Sequence, residues 1–512
     1  MTMKATRRPD LPHMRFTRQS SAPGDSGVRW GMSRFGAPRA NFLLHRYMDM
    51  AMIEFSRRSV WLCAIAGLAV PVAAQAPQGQ ASGDPEPLIQ PQHVLRSGPP
   101  EFVSEPVIQD IFDNAFQHRQ PVVMEWPVAR ADALLDAIGG MAAEGLDPAD
   151  YRPDALRAAI AAGPGAELDA LASETFSWLV EDLRDGRTPM SSRRQWFVVD
   201  PDADRMPTGA LMEQALASGD VAGTLASLHP THPDYAVLRT ELANTPAADA
   251  PRRALIRANM DRWRWLARDM GGQYLITNVP EYQLRLTVND KIIRSYRTIV
   301  GKPGRTATPQ LAETVSGVIF NPTWTGPQSI VKGEGLGARV LNNPGWARAQ
   351  GYTATRAANG FVTVVQRPGP NNSLGLMKLD MPNPHAIFLH DTPARNLFQQ
   401  DDRALSHGCI RTERALELAM TIAILGQGAT RDEAVGIASS GTYTRVPVVK
   451  TMPVYITYFT MGRDIEGNLR SFDDIYGRDA AVLASFQQPR VPNRSRIPAE
   501  EAVEIIDDLQ TT

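Results

Sequence analysis

Hydrophobic positions along the chain change their period once, near residue 271. Before it, apolar residues return every three to four positions, as on one face of a helix. Leu134, Ile138 and Met141 do so within residues 131–143, and Gly145-Leu146-Asp147-Pro148 closes that helix. Residues 168–183 repeat the pattern through Leu171, Phe176, Leu179 and Leu183, and residues 206–228 add more helix. Residues 254–267 predict another, with Ile256, Met260, Trp263 and Leu266 on one face. That spacing favours packing for Trp263 and Trp265, against a second reading in which the two rings stack on sugars.

After Gly271 the texture is that of strands. Residues 274–279, 282–288 and 291–300 are rich in β-branched and aromatic side chains, and 315–321, 361–366 and 385–390 follow. A late pair covers 446–449 and 454–460. The two textures predict an α+β protein: a mostly helical domain over residues 101–245, a connecting helix at 246–270, and a β-rich domain at 271–460, an antiparallel sandwich or barrel with a few helices. Residues 326–352 are long, glycine-rich and poor in strand signals, and read as a mobile lid. Residues 461–512 form a C-terminal extension and tail, with a short amphipathic helix near Glu500.

The N-terminus reads as an address. Arg57-Arg58 precede the apolar run 60–70, and Val72-Ala73-Ala74-Gln75-Ala76 supplies an Ala-x-Ala site, so residues 52–76 form a signal peptide and the mature protein is periplasmic. The run is short of the ~20 residues of a membrane span, and an uncleaved anchor is the minor alternative. Residues 77–100, dominated by Gln, Pro, Gly and Ser, are a flexible linker. Residues 1–51, arginine-rich and patternless, read as an over-long start ahead of Met50 or Met52.

The 512 residues carry a formal charge of −2, which gives no basic field for nucleic acid, and 43% hydrophobic residues, enough for a sizeable core. There is no phosphate-cradling glycine loop and no paired Cys-x-x-Cys.

Two cysteines are present, and Cys63 falls inside the export signal, so the processed chain holds one thiol, Cys409. A lone thiol forms no internal disulfide and is better explained by reactivity than by stapling. It sits in Ser406-His407-Gly408-Cys409-Ile410-Arg411-Thr412. Gly408 allows a sharp bend. Thr412 reads as the N-cap of a helix over 413–425 stopped by Gly426, which sets Cys409 before a helix N-terminus, where free N–H groups favour a thiolate or oxyanion. Upstream, the apolar run 386–389 predicts a buried strand ending at His390, before the loop signals of Asp391, Thr392 and Pro393. A histidine at a strand exit and a cysteine beyond the next loop make a base and a nucleophile.

The pattern resembles the L,D-transpeptidases with their YkuD-type catalytic domain. His390 is followed 19 positions later by Cys409 inside Ser406-His407-Gly408-Cys409-Ile410-Arg411. The segments 259–266, 299–303, 321–324, 370–375 and 474–479 resemble the large YcbB-like branch, whose peptidoglycan-binding module has no room here between Tyr235 and Asn259. The resemblance implies cysteine acyl transfer between peptidoglycan stem peptides, without a cofactor, and a scaffold role for the helical domain beside a catalytic one. It assigns Cys409 as nucleophile, His390 as general acid/base, and the Asp391 backbone carbonyl as the group orienting His390. His407 and the N–H groups of Gly408 and Cys409 form the oxyanion site; Arg411 meets a substrate carboxylate or pairs structurally; Asn372 and Trp324 line the cleft. Other wall synthases are conceivable partners. Two competitors remain: a zinc site of His390, His407 and Cys409, and a non-catalytic wall-binding or scaffolding protein.

Overall fold

The computed structural model describes residues 122–198 and 202–490, with residues 492, 496 and 498. The expected export signal, linker and early start, and the helix near Glu500, lie outside the described residues.

Five helices pack first: α1 Val128–Gly140, α2 Pro153–Ala162, α3 Ala166–Asp185, α4 Thr208–Ser218 and α5 Val221–Ala226. Their apolar stripes meet in one core that holds Leu134, Ile138, Phe176, Leu179, Leu183, Met212 and Leu225. Gly145, at φ 73°, ends the first helical stretch, a backbone state glycine adopts without strain. α6 Pro233–Asn244 and α7 Ala250–Trp263 then lead into the sheet domain.

α7 is the joint between the two regions. Trp263 is 4% exposed, stacked between His232 at 4.1 Å and Phe459 at 4.4 Å. Trp265 is equally buried against Trp196. Neither ring is open to a sugar, so the packing reading holds. Asp261 anchors the joint: its carboxylate accepts from the N–H groups of Arg187 (2.7 Å) and Thr188 (3.0 Å) and from Trp265 Nε1 (3.1 Å), and pairs with Arg264 at 3.4 Å. Burial pushes this carboxyl up, but Arg264 and the N–H donors outweigh burial and hold it below its usual range. Asp261→Ala strips a fully buried guanidinium of its partner; we expect a loss of about 3–5 kcal/mol, read from the denaturant midpoint by circular dichroism.

The sheet domain holds β1 Gln273–Asn278, β2 Gln283–Val288, β3 Lys291–Gly301, β4 Leu311–Thr314, β5 Gly317–Phe320, β6 Trp324–Thr325, β7 Tyr352–Arg356, β8 Val362–Gln366, β9 Met377–Asp380, β10 Leu389–His390, β11 Ala404–Ser406, β12 Ile410–Thr412, β13 Thr444–Pro447 and β14 Pro453–Thr457. Ten of these form one path, β13-β5-β9-β10-β12-β3-β2-β1-β14-β4, with β11 added on β3. The expected antiparallel arrangement is corrected: β1–β14, β10–β12 and β11–β3 run parallel, so the sheet is mixed. The main core lies against one face, where Leu418, Ala419, Ile422 and Ala423 of helix α8 Ala415–Leu425 meet Phe320, Leu379, Leu389 and Ile410.

Two further expectations change. The strand over 385–390 shrinks to Leu389–His390, because the chain reverses at Ala386 (φ 51°) around Asn383, whose side chain bonds the main chain of His385 and Ile387. Thr412 is no N-cap: residues 410–412 are drawn into the sheet between β10 and β3, the chain turns at Arg414 (φ 49°), and the helix begins at Ala415. The stretch 326–352 is also no plain loop. It carries short helices at Leu336–Asn342 and Pro344–Ala349, closed by β6, β8 and β7 around its own core of Val331, Val340, Ala347 and Val364.

Candidate active site

Three neighbouring strands build the site. Side chains alternate along a strand, and residues directly opposite share a face. Leu379, Leu389 and Ile410 point into the core, so Lys378, His390 and Arg411 stand on the other face. They lie side by side across the sheet, His390 registered with Lys378 of β9 on one side and with Arg411 of β12 on the other. Cys409 precedes β12 by one residue.

His390 is 6% exposed, and its Nδ1 lies 2.5 Å from the Asp391 main-chain oxygen. A carbonyl only accepts, so Nδ1 carries the hydrogen and Nε2 keeps its lone pair. Burial first, then Arg411 alongside, pushes the imidazole down to about 4, so the ring is neutral near pH 7. The Asp391 carboxylate accepts from the Leu376 N–H at 2.9 Å and pairs with Arg395 at 3.3 Å, a local structural duty. Gly375 (φ 62°) makes room for it: a Cβ there would come within 2.4 Å of Asp391 Oδ2.

Cys409 is partly exposed as a residue, and its sulfur makes a weak contact with the Ala386 carbonyl at 3.6 Å. No hydrogen bond joins it to His390 among the described residues. Burial pushes the thiol up, while the Phe388 N–H, Lys378 and Arg411 pull the other way. The loop that carries it is laced tightly. Ser406 Oγ accepts from the Gly408 N–H at 3.1 Å and donates to the Cys409 carbonyl at 2.6 Å. Thr308 Oγ1 donates to the Gly408 carbonyl at 2.8 Å.

This lacing corrects the expected oxyanion site. The Gly408 N–H is already engaged, and the helix N-terminus stands beyond β12, away from the sulfur. The Cys409 N–H is left as the candidate main-chain donor. His407 turns outward, its Nε2 2.8 Å from Glu334 in the segment 326–352. Arg411 is half-buried and has no carboxylate partner among the described residues.

Asn372 does not line the cleft. It is 1% exposed, and its amide nitrogen donates to the carbonyls of Pro322, Gln366 and Arg367 while its oxygen accepts from the Leu374 N–H. Trp324 sits in β6, its ring against that of Tyr352 in β7. Sequence reasoning missed Lys378, Glu334 and the Ser406–Thr308 lacing. The signal for Lys378 was present: Met377-Lys378-Leu379-Asp380 alternates apolar and charged, the period of a half-buried strand.

A neutral base whose ring is fixed by a carbonyl, a thiol one strand over and two flanking cations suit covalent acyl transfer. The donors of the competing zinc reading do not converge: His407 is engaged with Glu334, His390 Nδ1 faces a carbonyl, and among the described residues no cluster of three ligating side chains occurs.

Comparison with known proteins agrees with this chemistry. Residues 272–456 match the family model of the L,D-transpeptidase catalytic domain (YkuD), and residues 117–242 match that of a Scaffold domain. A curated protein of Haemophilus influenzae named "Putative L,D-transpeptidase" is 30% identical over 223 residues, 41% of this chain and 45% of that one. The chain thus spans about half the length of the curated relative it matches. Among solved structures, an L,D-transpeptidase from Mycobacterium smegmatis overlaps 36% of this chain and 58% of its own at 13% identity and a TM-score of 0.19. LdtMt1 in complex with imipenem overlaps 36% and 59%, also at 13% and 0.19. Overlaps at that score carry no weight here. The two family matches do: this chain carries an L,D-transpeptidase catalytic domain of the YkuD type behind a Scaffold domain, the architecture of the YcbB-like branch.

Proposed function

We propose that this protein is a peptidoglycan L,D-transpeptidase that joins stem peptides through a cysteine thioester. The observation that carries this reading is the placement, inside a YkuD domain, of a partly exposed Cys409 one residue before the strand that adjoins the carbonyl-fixed neutral His390. The thiol proton passes to His390 Nε2, and the sulfur electron pair forms the bond to the carbonyl carbon at the L-centre of a diaminopimelate in the donor stem. The carbonyl π pair moves to oxygen, held by the Cys409 N–H. The intermediate collapses, the terminal D-alanine leaves with the proton from His390, and a thioester remains. The amine of a second stem attacks, gives a proton to His390, and releases the thiolate, to which that proton returns. The product is a crosslink between two diaminopimelates.

Arg411 supplies charge for the donor carboxylate; a guanidinium fits it by a bidentate fork. Export to the periplasm through the segment 52–76 follows from the substrate's location, and no helix of the described residues is long and apolar enough to cross a membrane. The test is incubation of purified protein with tetrapeptide-stem muropeptides, read by mass spectrometry. A dimer lighter by one D-alanine is expected; unchanged tetrapeptides, with no adduct on Cys409 from a carbapenem, would sink the reading in favour of a non-catalytic wall protein. The N-terminal residue of the secreted product tests the address, and is expected just after Ala76.

A further inference from the structure

We propose that Lys378 is a functional residue of this site, its ammonium supplying the counter-charge of the Cys409 thiolate as the sulfur attacks. This rests on the acyl-transfer reading above, but its test does not need a stem peptide.

The argument starts from what a lysine does in the middle of a sheet. β9 lies between β5 and β10, and Lys378 is cross-strand neighbour to Ile319 on one side and His390 on the other. A half-buried ammonium normally secures a carboxylate or several carbonyls. Among the described residues, Lys378 has no ion pair and no hydrogen bond; its ammonium lies 3.5 Å from the centroid of the Phe388 ring. The carboxylate nearest along its own strand, Asp380, is committed to Arg445 of β13 at 2.7 Å. An uncommitted cation in such a place is costly unless a negative charge arrives there during function.

The charge that arrives is the thiolate. Phe388, under the ammonium, is also the residue whose N–H faces the Cys409 sulfur. The charged side chains that act on the sulfur are Lys378 of β9 and Arg411 of β12, with His390 of β10 registered between them. His390 is neutral near pH 7 and so contributes no positive charge before it takes the proton. The fixed cations are therefore Lys378 and Arg411, and Arg411 is the one that the stem carboxylate draws on. Lys378 keeps its proton throughout. It stabilises the thiolate formed when the S–H proton goes to His390 Nε2, and again the thiolate released when the thioester is resolved. Burial of Lys378 lowers its own proton affinity, and the sulfur opposes that shift, as expected of two groups that share one charge balance.

The test titrates the thiol directly. Full-length protein is alkylated with iodoacetamide across pH, and modification of the Cys409 peptide is quantified by mass. Lys378→Met keeps an unbranched apolar stem beside Phe388 and removes the charge. It is expected to move the alkylation midpoint up by about one pH unit and to slow alkylation at pH 7 about tenfold. Lys378→Arg is expected to restore both. An unmoved midpoint in folded Lys378→Met overturns the proposal, as does a raised KM for the stem with the midpoint unchanged, which would make Lys378 a carboxylate ligand. Should the methionine variant misfold, Lys378→Gln gives the same reading. A shifted midpoint in a protein that makes no crosslinks supports the proposal and sinks only the acyl-transfer reading.

Discussion

Cys409→Ala is expected to remove crosslinked product and carbapenem adduct together, with activity falling on the order of 10⁴-fold or more. The sulfur is the one atom in the proposed scheme that makes and breaks a bond to the acyl carbon, and no neighbour replaces it: Ser406 Oγ, the nearest hydroxyl in the loop, is spent between the Gly408 N–H and the Cys409 carbonyl. The fold has little reason to suffer. The residue is partly exposed, and its sulfur approaches the Ala386 carbonyl only to 3.6 Å. Unfolding midpoints for wild type and variant should therefore agree to within about 1 kcal/mol. Residual crosslinking by folded Cys409→Ala would assign the nucleophile elsewhere.

His390→Ala should lower kcat by about 10²–10⁴-fold, the usual worth of a positioned base. The pH profile of the wild type tests the same group without a mutation. With the imidazole pushed down to about 4 by burial and by Arg411, its proton-accepting form persists as pH falls through 6.5 and is lost only near 4. The acid limb of kcat/KM is therefore expected below pH 5, because that ratio reports the free enzyme. An acid limb near 6.5 would mean that water or a carboxylate reaches the ring. Its absence in His390→Ala, at the lower rate, would tie the limb to this residue.

Much of the site was legible because it is local. His390 ends an apolar run at a cluster of loop residues, and Cys409 sits beside Gly408, which adopts φ 117°. What failed was long-range. The strand Met377–Asp380 is four residues long, too short for its alternation to stand out, yet it lies between β5 and β10 and carries Lys378. Ile410–Thr412 reads as a helix entrance in isolation, but pairing with β3 on one side and β10 on the other outweighs the capping preference of Thr412. The reversal at Ala386 follows from Asn383-Pro384, a turn signal masked by the apolar residues after it. The family resemblance alone places Asn372 in the cleft; its amide donates to three main-chain carbonyls instead.

By itself the sequence determined the change from helical to strand texture near residue 271, the burial of the tryptophans in the joint, and the identity of the thiol and the imidazole. Each of these follows from neighbours within a few positions, where periodicity and side-chain chemistry act directly. Tertiary structure alone decided which N–H groups stay free around the sulfur, that the imidazole stands neutral between two cations, and that Glu334 reaches His407 from the segment 326–352. Those outcomes depend on strand register and on burial, and both are set by residues far apart in the chain whose pairing no local pattern encodes.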